Sequence, residues 1–113
     1  RERFRNLEAV ADVVPVGDAG STELDPGQAL AALRASGVTS VLCEGGPALA
    51  AAMLRTGVVD RFYWSIAPRL LANQHAVPAL RGADLSQSTR TLRFDTPRRL
   101  GEDVLISGTF AGV

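Results

Sequence analysis

The sequence lacks several features that mark whole classes of protein. Its 113 residues contain one cysteine and one histidine. An internal disulfide is therefore excluded, and we do not expect a zinc site built from this chain alone. No apolar run approaches the roughly 18 residues of a membrane-spanning helix. The sequence therefore predicts no metal site and no membrane partner.

The sequence also lacks an excess of charge of either sign. Twelve arginines balance twelve acidic residues, and lysine is absent. A balanced charge gives no electrostatic reason to expect nucleic acid or an anionic membrane as a partner. The charged residues that open the chain are not followed by the apolar segment of a signal peptide. We therefore expect a soluble, cytoplasmic protein.

Apolar runs alternate with helical patterns along the first two thirds of the sequence. The order strand, helix, strand, helix, strand predicts parallel strands joined by right-handed crossovers. A closing hairpin adds antiparallel pairing. The expected fold class is therefore α/β, a mostly parallel sheet flanked by helices with a C-terminal antiparallel hairpin. The predicted strands are 10–16, 38–43, 61–67, 91–99 and 103–110.

Both predicted helices have recognisable ends. Asp25 is a good N-cap, Pro26 suits the first turn, and Gln28 stands at the third helical position of a capping box. Gly37 is the expected end of this helix, and Gly57 is the expected end of the next one.

The stretch Glu44-Gly45-Gly46-Pro47 joins a predicted strand to a predicted helix. A helix N-terminus presents unpaired backbone N–H groups and the positive end of the helix dipole, and both favour a phosphate. Glycine lets the backbone approach a ligand, and proline costs nothing at the first helical position. The pattern predicts a phosphate site, with a tight turn that binds no ligand as the alternative.

This motif comes with a longer pattern that resembles one family. Ala48-Leu49 follows it, then Gly-Val-Val-Asp-Arg at 57–61 and Ile-Ala-Pro at 66–68. Together they resemble the reductase domain of riboflavin biosynthesis, the C-terminal domain of the bifunctional deaminase–reductases. The resemblance covers essentially the whole chain. It implies a dihydrofolate-reductase-like fold, of which residues 1–113 would be a single, partial domain that represents the C-terminal half.

The resemblance also implies an activity. Members of the family use NADPH to reduce the ribosylamino side chain of a pyrimidine 5′-phosphate to ribitylamino. Glu44 would lie near the nicotinamide and bind the substrate, and the Gly45–Gly46 peptide bond would be cis. A homodimer is implied as well, with the aromatic strand and the closing hairpin as candidate interface elements. The implied cofactor-binding residues are Gly45, Gly46, Pro47, Ala48 and Leu49.

Two other functions stay open on the sequence. A reductase of dihydrofolate or another pteridine is one, because the family's substrate-reading residues lie in the half that these residues do not represent. A non-catalytic module that binds a nucleotide or dimerises is the other.

No residue is assigned a catalytic role. Cys43 is expected to be a buried strand residue, His75 and Arg69 to be solvated, and the aromatic residues 62–64 to fill a core or an interface.

Overall fold

A computed structural model of the protein describes residues 2–17, 20, 23–82 and 91–111, with the backbone alone for residues 2–4. The chain divides into two compact units, Arg1–Leu42 and Cys43–Val113. Among the residues described, no helix combines the length and the apolarity that crossing a membrane requires. The elements in chain order are α1 (Glu2–Glu8), α2 (Pro26–Ala35), α3 (Pro47–Thr56), β1 (Arg61–Ile66), β2 (Leu92–Phe94), β3 (Arg98–Leu100) and β4 (Asp103–Phe110).

In the first unit, α2 begins as the sequence predicts. The Asp25 carboxylate accepts a hydrogen bond from the Gln28 N–H at 2.8 Å, and Pro26 occupies the first turn, where it is buried. Just after the helix, Gly37 has φ 90°, in the left-handed region that favours glycine. The predicted cap and stop are therefore confirmed.

In the second unit, α3 also has the predicted ends. Gly46 is its N-cap, and Pro47 is its first residue. Gly57 ends it in the left-handed conformation, φ 75°, and donates its N–H to the Leu54 carbonyl at 3.2 Å. Ala51, in the middle of the helix, is only 1% exposed. The predicted start at Pro47 and the predicted end at Gly57 are therefore confirmed.

The second unit also contains a four-stranded sheet, in which every strand pair among the described residues is antiparallel. The longest strand, β4, lies in the middle, with β1 on one side and both β2 and β3 on the other. Gly101 and Glu102 close the hairpin between β3 and β4, and Gly101 has φ 63°. A positive φ at the first position of a two-residue turn favours glycine. The predicted closing hairpin is therefore confirmed.

The long strand predicted at 91–99 is interrupted. β2 ends in register with Gly108, and β3 begins in register with Leu105. Residues 95–97 therefore stand opposite residues 106–107, three residues against two. An extra residue of this kind is a β-bulge, and Pro97, which has no N–H to donate, is tolerated there.

One face of the sheet is apolar and carries three phenylalanines. The Phe62 ring lies opposite Gly108 and packs against the rings of Phe94 and Phe110, with centroid distances of 6.0 and 5.9 Å. A Cβ on Gly108 would overlap the Arg93 carbonyl oxygen and lie 3.1 Å from the Phe62 ring. Glycine at this position therefore allows the close approach of both groups.

The predicted parallel strands are not found in the described residues. Residues 10–16 and 38–43 form no strand, and β1, expected to be parallel, pairs only with β4 and antiparallel to it. An apolar run becomes a strand when a neighbouring strand completes its ladder of hydrogen bonds. No described strand pairs with residues 38–43, and Val41 and Leu42 are 48% and 74% exposed. The mostly parallel sheet is therefore not confirmed.

Candidate functional site

The candidate site is the turn that leads into α3. Gly46 has an extended conformation, φ −64° and ψ 177°, and its carbonyl accepts the first helical hydrogen bond, from the Ala50 N–H at 3.1 Å. No side chain caps the helix. Within the described part of the chain, the N–H groups of Gly46, Ala48 and Leu49 have no acceptor. The turn therefore offers unused donors at the positive end of a helix.

Steric contacts explain the two glycines of this turn, because neither has a positive φ. A Cβ on Gly45 would lie 2.5 Å from Leu49 Cδ2, so the leucine side chain takes the space that a side chain at position 45 would need. A Cβ on Gly46 would meet no atom within 4 Å. The space beside Gly46 is therefore open to a ligand.

The prediction of a cis peptide bond between Gly45 and Gly46 is wrong, because no described peptide bond is cis. A cis bond between non-proline residues costs about 3–4 kcal/mol and needs surrounding contacts to hold it. Gly46 has open space beside it in this chain. The trans bond is therefore the expected low-energy form here.

The other predicted site residues lie together at this turn. Glu44 is exposed, and its carboxylate has no hydrogen bond or ion pair within the residues the structure describes. Pro47 is half-buried, Ala48 is exposed, and Leu49 is 45% exposed. The turn thus brings one free carboxylate close to several free N–H groups. Such a site can bind an anion on the helix side and a polar group at Glu44.

One residue of this neighbourhood has no counterpart in the sequence predictions. The Arg81 N–H donates a hydrogen bond to the Pro47 carbonyl at 3.1 Å, which joins the segment after β1 to the first turn of α3. The Arg81 side chain is exposed. Positions 47 and 81 are far apart in the sequence, and no local pattern connects them. Only the three-dimensional structure could have revealed this contact.

The remaining candidates lie outside the site. Cys43 is exposed, so the prediction that it is buried in a strand is wrong. The His75 N–H donates to the Asn73 side chain at 2.9 Å in a local turn, and Trp64 is half exposed on the sheet. Across the described ranges, no three side chains of the His, Cys, Asp and Glu types gather as a metal site requires.

Electrostatic interactions concentrate on the polar face of the sheet. The Ser107 hydroxyl donates to Asp95 Oδ2 at 2.7 Å, and the Arg61 guanidinium forms an ion pair with the same oxygen. Both contacts lower the pKa of Asp95 from its usual value, and the hydrogen bond from Ser107 has the larger effect. The hydrogen bond with Asp95 in turn raises the pKa of Arg61. The network joins β1, β4 and the bulge, so its role is structural.

Comparison with known proteins agrees with the pattern around the turn. The family model of the RibD C-terminal domain matches residues 1–106, which include the whole candidate site. The chain belongs to this family.

Three curated relatives match most of the chain. The riboflavin biosynthesis protein RibD of Mycobacterium tuberculosis is 41% identical over 85 residues, 74% of this chain and 24% of the relative. The 2,5-diamino-6-ribosylamino-4(3H)-pyrimidinone 5′-phosphate reductase of Methanothermobacter thermautotrophicus is 30% identical over 113 residues, which are 98% of this chain and 51% of the relative. RibD of Actinobacillus pleuropneumoniae is 31% identical over 107 residues, which are 93% of this chain and 28% of the relative. The chain therefore spans about half or less of the length of these relatives.

Proposed function

We propose that this chain is the cofactor-binding part of an NADPH-dependent reductase of riboflavin biosynthesis. The observation that carries the proposal is the similarity, over 98% of the chain, to a protein named as a pyrimidinone phosphate reductase. The family implies a nicotinamide cofactor, and we propose more specifically that this cofactor is NADPH rather than NADH. The protein acts in the cytoplasm as a homodimer.

The substrate is a pyrimidine ribotide whose ribosylamino side chain is reduced to ribitylamino. When bound, NADPH would supply a hydride to the C1′ carbon of the substrate's open-chain imine, and the imine nitrogen would take up a proton from the medium. The chemistry therefore belongs to the cofactor, and the protein contributes binding and orientation. The residues that this chain contributes are those of the turn before α3.

The residues of this turn fit a cofactor diphosphate. The N–H groups of Gly46, Ala48 and Leu49 have no acceptor within the described residues, and the space beside Gly46 is open. These N–H groups donate hydrogen bonds to the diphosphate, and the dipole of α3 adds a favourable field. Pro47 fixes the first turn without adding an N–H that would need an acceptor of its own.

Glu44 has a different role in this arrangement. Its free carboxylate would repel a phosphate, so we expect it to face the nicotinamide or the substrate rather than the diphosphate. There it accepts hydrogen bonds and orients the polar group that donates them. It is a substrate-binding residue, and the chain supplies no side chain with an assigned catalytic role.

We also propose that the fold contains a dihydrofolate-reductase-like sheet. In that sheet, the apolar run 38–43 has parallel strands as neighbours. One observation supports this: the run is apolar but unpaired among the described residues. The turn before α3 then lies at the carboxyl end of a sheet strand, where α/β folds bind nucleotides.

Titration with NADPH, followed by the fluorescence of the nicotinamide, tests the cofactor proposal. We expect the unchanged chain to bind NADPH and Gly46→Asp to bind at least ten-fold more weakly, because the aspartate adds a negative charge beside the diphosphate. Gly46→Ala is the matched variant without the charge: its Cβ meets no protein atom within 4 Å, and its loss of affinity should be smaller than that of Gly46→Asp. Equal binding by the unchanged chain and Gly46→Asp, with both folded by circular dichroism, would contradict the proposed site. Binding without turnover of the ribotide would favour a non-catalytic module.

A further inference from the structure

We draw no further inference here: the strongest candidate, the apolar face of the four-stranded sheet on which Trp64, Ile66 and Phe94 are about half exposed, carries none because nothing in the structure shows what covers it.

Discussion

The sheet and the turn before α3 differ in whether their backbone polar groups have hydrogen-bond partners. β4 has strands on both sides, so its N–H and C=O groups are paired along both edges. At the turn, the N–H groups of Gly46, Ala48 and Leu49 lack acceptors within the described residues. A satisfied backbone stabilises the fold, whereas unsatisfied donors are a means of binding an anion. Substitutions in the sheet should therefore change stability, and substitutions beside the free N–H groups, at Gly46, should change affinity.

The same substitution at two glycines gives the largest expected contrast. In Gly108→Ala the new Cβ overlaps the Arg93 carbonyl oxygen, so β2 or β4 must shift. We expect the free energy of unfolding to fall by about 2–4 kcal/mol, a typical cost of forcing extra atoms into a packed site. In Gly46→Ala the new Cβ meets nothing, and we expect a change within about 0.5 kcal/mol.

Urea denaturation of both variants under the same conditions measures this contrast. Equal losses of stability at positions 108 and 46 would contradict the division of roles between the sheet and the turn.

Gly45 allows a smaller effect to be isolated by a pair of substitutions. Gly45→Ala brings a Cβ against the Leu49 side chain, which is flexible and half exposed, so we expect a loss of about 1–2 kcal/mol in unfolding free energy. Combining it with Leu49→Ala removes the clash. The double variant should therefore be less destabilised than the sum of the two single variants, as thermal unfolding of all three would show. Simple additivity would mean that the leucine is not what excludes a side chain at position 45.

The smallest expected effect concerns pH and the polar face of the sheet. The pKa of Asp95 is lowered in the folded state by Ser107 and Arg61. The contribution of these contacts is therefore present above the unfolded-state pKa, near 3.8, and is lost as the pH falls through the lower folded-state pKa. Both partners of the Arg61–Asp95 ion pair are nearly half exposed, so the effect is small and screened by salt.

Unfolding of the unchanged protein and of Asp95→Asn, compared between pH 6 and pH 2, checks this dependence. The stability difference between the two proteins should shrink as the pH falls. A difference that is constant over this range would show that ionisation of Asp95 does not contribute.

The features that sequence reasoning predicted correctly depend on neighbours in the chain. The Asp25 cap, the Pro47 start and the Gly57 stop each involve groups within one helical turn. The closing hairpin likewise joins β3 and β4 through two residues. Local chemistry decides such features, so a sequence pattern is enough to predict them.

The features that it missed depend on partners far away in the chain or outside the described residues. The apolar run 38–43 resembles a strand, but a strand forms only where another strand completes its ladder. The bulge at 95–97 is defined by register with β4, which composition does not reveal. The contact between Arg81 and Pro47 likewise joins two positions that are far apart in the sequence. The candidate turn was therefore predictable as a motif, whereas its contact with residue 81 was not.

Backbone amide chemical shifts, followed by NMR during a titration with NADPH, would locate the bound cofactor. We expect the largest changes at the N–H groups of Gly46, Ala48 and Leu49, and nearly unchanged amides in β1 and β4. These N–H groups are the donors without acceptors within the described residues, so a bound diphosphate changes their environment most. Binding accompanied by shifts in the sheet, with the turn unaffected, would contradict the proposed site and place the cofactor away from α3.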